Sequence, residues 1–120
     1  MKNIRTAFLA ISILAITLAF NFPIADLTGT WDLSVETDMG SGNPTFVLKQ
    51  AADGKITGTY TGQLGDSELT GLIKTDDSFH IEFDIQGNKI EYDGKAESGK
   101  ISGKVKLGSM ASGTFTGVKK

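Results

Sequence analysis

Six times along the 120-residue chain a small polar residue and a glycine are followed, two positions after the glycine, by an apolar or small side chain. The copies are Thr28-Gly29-Thr30-Trp31, Thr57-Gly58-Thr59-Tyr60, Thr70-Gly71-Leu72-Ile73, Asp93-Gly94-Lys95-Ala96, Ser102-Gly103-Lys104-Val105 and Ser112-Gly113-Thr114-Phe115. Side chains alternate faces along a strand, so each glycine shares the face of the Trp, Tyr, Ile, Ala, Val or Phe beside it. An inward glycine removes the Cβ where a sheet bends most sharply, and a sheet relieved in this way can coil and close on itself. The repeat predicts a small closed β-barrel.

Turn signals divide residues 26–120 into eight runs of alternating polarity, at 27–37, 45–52, 55–62, 68–75, 78–86, 89–97, 100–107 and 111–119, with no segment of helical period among them. Asp53-Gly54, Asp76-Asp77, Gly87-Asn88 and Ser98-Gly99 suit two-residue hairpin turns. Short connections pair sequential neighbours, so the expected fold is all-β: an eight-stranded antiparallel up-and-down meander barrel whose closure leaves no exposed edge. One face collects Leu27, Trp31, Leu33, Val35, Phe46, Leu48, Ile56, Tyr60, Leu69, Ile73, Phe79, Ile81, Phe83, Ile85, Ile90, Tyr92, Ile101, Val105, Leu107 and Phe115, while the other carries Thr, Lys, Glu and Asp. Because the apolar set shares its face with the glycines, it must be the interior, the reverse of a transmembrane barrel.

Residues 7–20 are apolar apart from Ser12 and Thr17, follow Lys2 and Arg5, and fall short of the ~18 residues a spanning helix needs. This is the pattern of a secretory signal peptide, cut after Ala19 or Ala25, and it divides the chain into a leader at 1–25 and one barrel domain at 26–120. A secreted or periplasmic location follows from it. The chain has no cysteine, so stability must come from the sheet and its core. Removing Lys2 and Arg5 leaves ten basic against 14 acidic residues, a net charge near −4. With the bases spread singly and no aromatic platform, nucleic-acid binding is not expected.

The inner face carries no Asp, Glu, Lys, Arg or His, which argues against general acid-base catalysis and against an enzyme. The only histidine, His80, faces outward beside Glu82 and lacks the partners that a zinc site or a nucleophile triad requires. Asp76-Asp77 and Asp53-Gly54 read as turn chemistry, and neither a metal nor a cofactor is expected. The inward polar groups are the hydroxyls of Tyr60, Tyr92 and Thr75 and the amide of Gln50, which either bond one another or hold the polar end of a ligand.

In a meander the connections at 38–44, 63–67, 87–88 and 108–110 share one mouth, and those at 53–54, 76–77 and 98–99 share the other. The longer connections predict an open first mouth, and Trp31 lies at the closed end. Met39, Leu64 and Met110 sit in the open mouth's loops, above Val35, Phe46, Tyr60, Leu69, Phe83, Ile85, Tyr92 and Leu107. Eight strands enclose a space that side chains can fill or that can hold one small ligand. The residue types permit either a pocket for a small apolar or amphipathic ligand at this mouth or a solid-cored module that docks to a secreted protein partner.

Leu27-Thr28-Gly29-Thr30-Trp31 and the segment from Ala52 to Tyr60 resemble the opening of avidin-type biotin-binding barrels. Those proteins line their pocket with several tryptophans and an Asn just after the first-strand Trp; this chain has one Trp, followed by Asp32 and Leu33, and only Tyr60 matches a biotin contact. The resemblance implies a shape and not biotin binding. The first-strand Gly-x-Trp is likewise similar to that of lipocalins, whose C-terminal helix is absent. Over 26–120 the chain resembles a poorly characterised group of secreted bacterial lipocalin-like domains, through Gly29-Thr30-Trp31, Met39-Gly40, Leu48-Lys49-Gln50, the segment from Gly54 to Tyr60, and Gly113-Thr114-Phe115-Thr116-Gly117. Such domains occur alone or attached to secreted hydrolases such as amidohydrolases, which implies an accessory or binding role.

Overall fold

A computed structural model describes residues 25–75 and 77–120. The leader expected at 1–25 lies outside the described residues except for Ala25, and Asp76 of the Asp76-Asp77 turn lies outside them as well. Nine β-strands follow in chain order: β1 (Gly29–Thr37), β2 (Gly40–Gly42), β3 (Thr45–Gln50), β4 (Lys55–Gly62), β5 (Gly65–Ile73), β6 (Ser78–Ile85), β7 (Asn88–Glu97), β8 (Lys100–Leu107) and β9 (Ala111–Lys119). All pairings are antiparallel: β1 pairs with both β2 and β3, each strand from β3 to β8 pairs with the next, and β1 also pairs with β9 from Trp31↔Lys119 to Thr37↔Gly113, which closes the sheet.

Nine strands nonetheless make eight staves. β2 and β3 meet β1 in one continuous register, Val35 opposite Gly42 and Asp32 opposite Thr45. They are one stave of an eight-stranded barrel, interrupted at Asn43-Pro44. Proline has no N–H to give the ladder, but its carbonyl still accepts from the Leu33 amide at 3.0 Å.

The inward glycines are the device that permits this curvature. A Cβ on Gly58, Gly71, Gly103 or Gly113 would collide with a carbonyl oxygen of the adjacent strand, that of Val47, His80, Asp93 or Glu36 respectively. A Cβ on Gly94 would also stand 2.7 Å from Phe115 Cζ and 3.1 Å from Phe79 Cζ, which places that glycine on the inner face. Gly29 works differently. Its φ of +137° lies where only glycine is comfortable, so it bends the chain's entry into β1.

Of the twenty predicted inward apolar residues, Ile73 and Leu107 are only half-buried, because each ends its strand at a rim, and Ala111 joins the buried set. The outer wall is polar and charged, with Val47, Leu72 and Val118 as its exposed large apolar residues. Among the described residues no helix is long and apolar enough to cross a membrane.

The connections correct the sequence reading. The expected long loop at 38–44 is a tight turn at Asp38-Met39 followed at once by β2, and β5 starts at Gly65, reducing 63–67 to a turn at Gln63-Leu64. Polar Ser-, Gly- and Asp-rich tracts read as loops in sequence, yet here the backbone ladder of a closed barrel recruits them. The turn expected at Gly87-Asn88 is Gln86-Gly87, where both residues have positive φ (53° and 82°) as a right-twisted hairpin demands. At the other end, the expected tight pairs 53–54 and 76–77 are longer connections, at 51–54 and 74–77. Loop length therefore does not distinguish an open mouth from a closed one.

Candidate functional site

Side-chain filling distinguishes the two ends. At the floor, Trp31 is 2% exposed and its Nε1 donates to the Leu27 carbonyl at 2.9 Å, so the residues preceding β1 fold across the opening. Gln50 fastens the same segment: its Oε1 accepts from Leu27 N and its Nε2 donates to Ala25 O, each at 2.9 Å. The predicted inward Gln50 amide is thus used by the backbone. Thr75, also predicted inward, is exposed, because β5 ends at Ile73 and the chain leaves the wall before reaching it. The hollow outside this plug, about 570 Å³, is broad and bordered by Asp26, Asp77, Glu97 and Lys119, a solvated bowl rather than an entry to the lumen.

Aromatic rings interlock across the middle of the barrel. Tyr92 meets Phe46 edge-on at 4.9 Å and Phe115 at 5.0 Å, and Tyr60 stacks on Phe83 at 4.6 Å. Such pairs add roughly 0.5–1.5 kcal/mol each beyond the area they bury.

Above this layer a cavity of about 220 Å³ opens at the mouth formed by turns 38–39, 63–64 and 108–110. It brings together seven of the ten predicted site residues: Val35, Tyr60, Tyr92 and Leu107 as walls and floor, with Met39, Leu64 and Met110 around the rim. Phe46, Leu69 and Phe83 are buried but do not line it; the two Phe rings support Tyr60 and Tyr92 from behind. Sequence reading missed Thr37, Asn43, Pro44, Gln63 and the Gly40-Ser41-Gly42 backbone, which enter the lining because β2 replaces the expected loop. Pro44, shortly after Gly40 and Gly42, is the available signal for a strand that stops and resumes.

The rim is held in place by its own hydrogen bonds. Gln86 Nε2 donates to Leu64 O at 2.7 Å, and Asp38 N donates to Ser112 O at 3.3 Å across the β1–β9 seam. Met39 and Met110 nonetheless remain 68% and 43% exposed, apolar thioethers presented to solvent beside the opening.

No residue lining the cavity carries a charge. Its polar groups at depth are two phenols, and they differ. Burial raises the Tyr60 pKa, partly offset by a hydrogen bond from the Leu64 backbone. Burial raises that of Tyr92 much further, helped by the nearby Tyr60 oxygen, so this hydroxyl stays protonated at every ordinary pH. Tyr92 is 2% exposed, and among the described residues its hydroxyl makes no hydrogen bond. A buried donor left unpaired costs about 1–3 kcal/mol.

A second cluster of titratable groups lies outside the barrel. His80 and Glu82 on β6 face Asp93 and Glu91 on β7, each directly across the ladder. His80 Nδ1 is 2.7 Å from Asp93 Oδ1 and Nε2 is 2.8 Å from Glu82 Oε1. Both partners are acceptors, so the doubly protonated ring satisfies both. Lys74 approaches Asp93 at 3.9 Å and Lys89 approaches Glu82 at 3.6 Å. The ligand atoms of His80, Glu82 and Glu91 fall within 4.8 Å of one another, so the structure supplies the neighbours that the sequence reading did not give His80. They are engaged as an ion network.

Burial of the His80 ring pulls its pKa down, but hydrogen bonds to Glu82 and Asp93 outweigh it and the net shift is upward. A folded pKa above the ordinary 6.5 contributes stability that is fully present below that value and fades as pH rises through the folded value. Unfolding midpoints of wild type and His80→Gln are therefore expected to differ most below pH 6.5 and to converge in alkaline buffer. A constant difference across that range would refute the protonated bridge.

No protein-family model matches the chain, and no curated protein matches it. Solved structures do. A de novo designed fluorescence-activating β-barrel is 14% identical, with a TM-score of 0.65 over 78% of this chain and 94% of that one. A redesigned β-barrel bound to DFHBI is 17% identical, with a TM-score of 0.60 over 78% of this chain and 98% of that one. Another redesigned β-barrel is 13% identical, with a TM-score of 0.63 over 78% and 91% of the two chains. At such identities the likeness is one of fold: this chain is a small, closed, eight-stranded antiparallel β-barrel.

Proposed function

We propose that this protein is a secreted or periplasmic, non-catalytic barrel that binds a small apolar or amphipathic molecule at the Met39–Met110 mouth. The observation that carries the reading is the uncharged cavity of about 220 Å³ above an aromatic layer. Small-molecule sites are concave, mostly apolar and furnished with a few fixed polar groups, and this cavity has that make-up. That a similar redesigned barrel is bound to DFHBI supports a ligand-binding role for this topology. The resemblance to secreted bacterial lipocalin-like domains supports the same role and location. With no carboxylate, imidazole or amine in the lining, binding is proposed without chemistry.

Titration with an environment-sensitive apolar fluorophore no larger than naphthalene tests this. Saturation near one equivalent is expected, and Met39→Glu, which sets a charge at the rim, should weaken it several-fold without lowering the unfolding midpoint, since Met39 is exposed. Absence of saturable binding by folded protein would favour the other reading, a docking module for a secreted partner.

A further inference from the structure

Resting on the mouth cavity being a binding site, we infer that its ligand is a small uncharged molecule with an aromatic or alicyclic body and one carbonyl-type acceptor, which takes its hydrogen bond from the Tyr92 hydroxyl. Three observations carry this. The first is size. About 220 Å³ corresponds to roughly seven waters at ~30 Å³ each, below the ~300 Å³ at which sites for drug-sized ligands begin. The aromatic layer of Phe46, Tyr60, Phe83 and Tyr92 blocks any extension toward the floor, so a long acyl chain has nowhere to go. A single ring with a short substituent fits.

The second observation is charge. A carboxylate or phosphate entering an apolar site needs a cation or several free donors to replace its water; the lining holds no Lys, Arg or His, and Thr37 Oγ1 and Asn43 Nδ2 already donate to the Gly40 and Leu33 carbonyls. An ammonium group would meet no carboxylate there. Neutral ligands escape both penalties.

The third is the buried phenol. Tyr92 lines the cavity, is almost completely buried, and among the described residues has no partner for its hydroxyl. Nothing in its surroundings favours ionisation, so it remains a donor. Tyr60 lines the same cavity and its O–H is a donor as well, so the loss of the preference in Tyr92→Phe is what assigns the contact to Tyr92. An acceptor on the ligand would satisfy the Tyr92 donor, and a hydrocarbon of the same shape would leave it unpaired.

Three probes of similar size separate these features: acetophenone, ethylbenzene and benzoate, titrated at neutral pH against wild type and Tyr92→Phe with dissociation constants read by NMR. Acetophenone is expected to bind wild type at least about threefold more tightly than ethylbenzene, the contribution of one net hydrogen bond. Benzoate should bind more weakly than either. Tyr92→Phe should abolish the preference for acetophenone while both probes still bind. The Tyr92 ¹³Cζ resonance of the wild type, shifting further with acetophenone than with ethylbenzene, gives the same answer without a substitution. Equal binding of acetophenone and ethylbenzene, tighter binding of benzoate, or a preference that survives Tyr92→Phe would overturn the carbonyl assignment and leave the pocket standing. If none of the three binds, the pocket itself is refuted and this inference falls with it.

Discussion

Replacing Trp31 with alanine lowers the stability of the barrel by about 3–5 kcal/mol, the range for truncating a buried aromatic ring. Trp31 does more than fill the floor. Its Nε1 holds the Leu27 carbonyl, and Lys119 at the end of β9 sits over its ring at 5.5 Å. Its loss therefore frees the segment entering β1 and the end of the strand that closes the sheet. In a domain of this size such a change shifts the melting temperature by ~12 °C or more. Trp31→Phe, which keeps most of the packing but removes the donor, should fall between the two. A midpoint for Trp31→Ala within about 2 °C of wild type would show that the ring does not plug the barrel.

Valine at Gly103 or Gly58 is expected to prevent folding rather than merely weaken it. Ordinary overpacking costs ~1–3 kcal/mol because side chains can rearrange. Here the obstruction is backbone: a Cβ on Gly103 would strike the Asp93 carbonyl and lie 2.5 Å from Gly94 Cα, and one on Gly58 would strike the Val47 carbonyl and lie 3.1 Å from Leu48 Cα. Relief requires adjacent strands to separate, which breaks their hydrogen-bonded ladder. Thr57→Val, one residue from Gly58 on the exposed outer face, is the control and should unfold near the wild-type midpoint. Circular dichroism and urea titration distinguish these outcomes; glycine variants as stable as Thr57→Val would mean that the sheet is not coiled as described.

The barrel was legible because its determinants are local and periodic. Alternation put Phe79, Ile81, Phe83 and Ile85 on one face and His80, Glu82 and Asp84 on the other, and the glycine repeat marked the positions where neighbouring strands approach. The second stave was less legible. Gly40-Ser41-Gly42-Asn43-Pro44 has the composition of a loop, and only the continuous register with β1 makes it part of the wall. The loop lengths mislead for the same reason at that mouth, and at the other because β3 and β5 stop short, at Gln50 and Ile73.

The site was legible in part. Met39, Leu64 and Met110 stood out as apolar residues at turns, and the meander assigned them to one mouth with Tyr60 and Tyr92. Alternation alone could not tell which inward rings border empty space and which pack behind them, so Phe46, Leu69 and Phe83 were grouped with the lining. That distinction depends on how rings from β3, β4, β6 and β7 interlock across the lumen, through contacts far apart in sequence. The partners of the His80 ring were likewise hidden until the register set Asp93 and Glu91 opposite β6.

Which end of the barrel takes the proposed ligand tests the account most directly, and NMR of protein labelled at its methionine methyl groups locates it. Acetophenone added to the folded protein should give saturable shifts and intermolecular NOEs at the methyls of Met39 and Met110 and at the Tyr92 ring, with none at Trp31. Contacts confined to the Trp31 end, or no intermolecular NOE at the Met39–Met110 mouth, would contradict it.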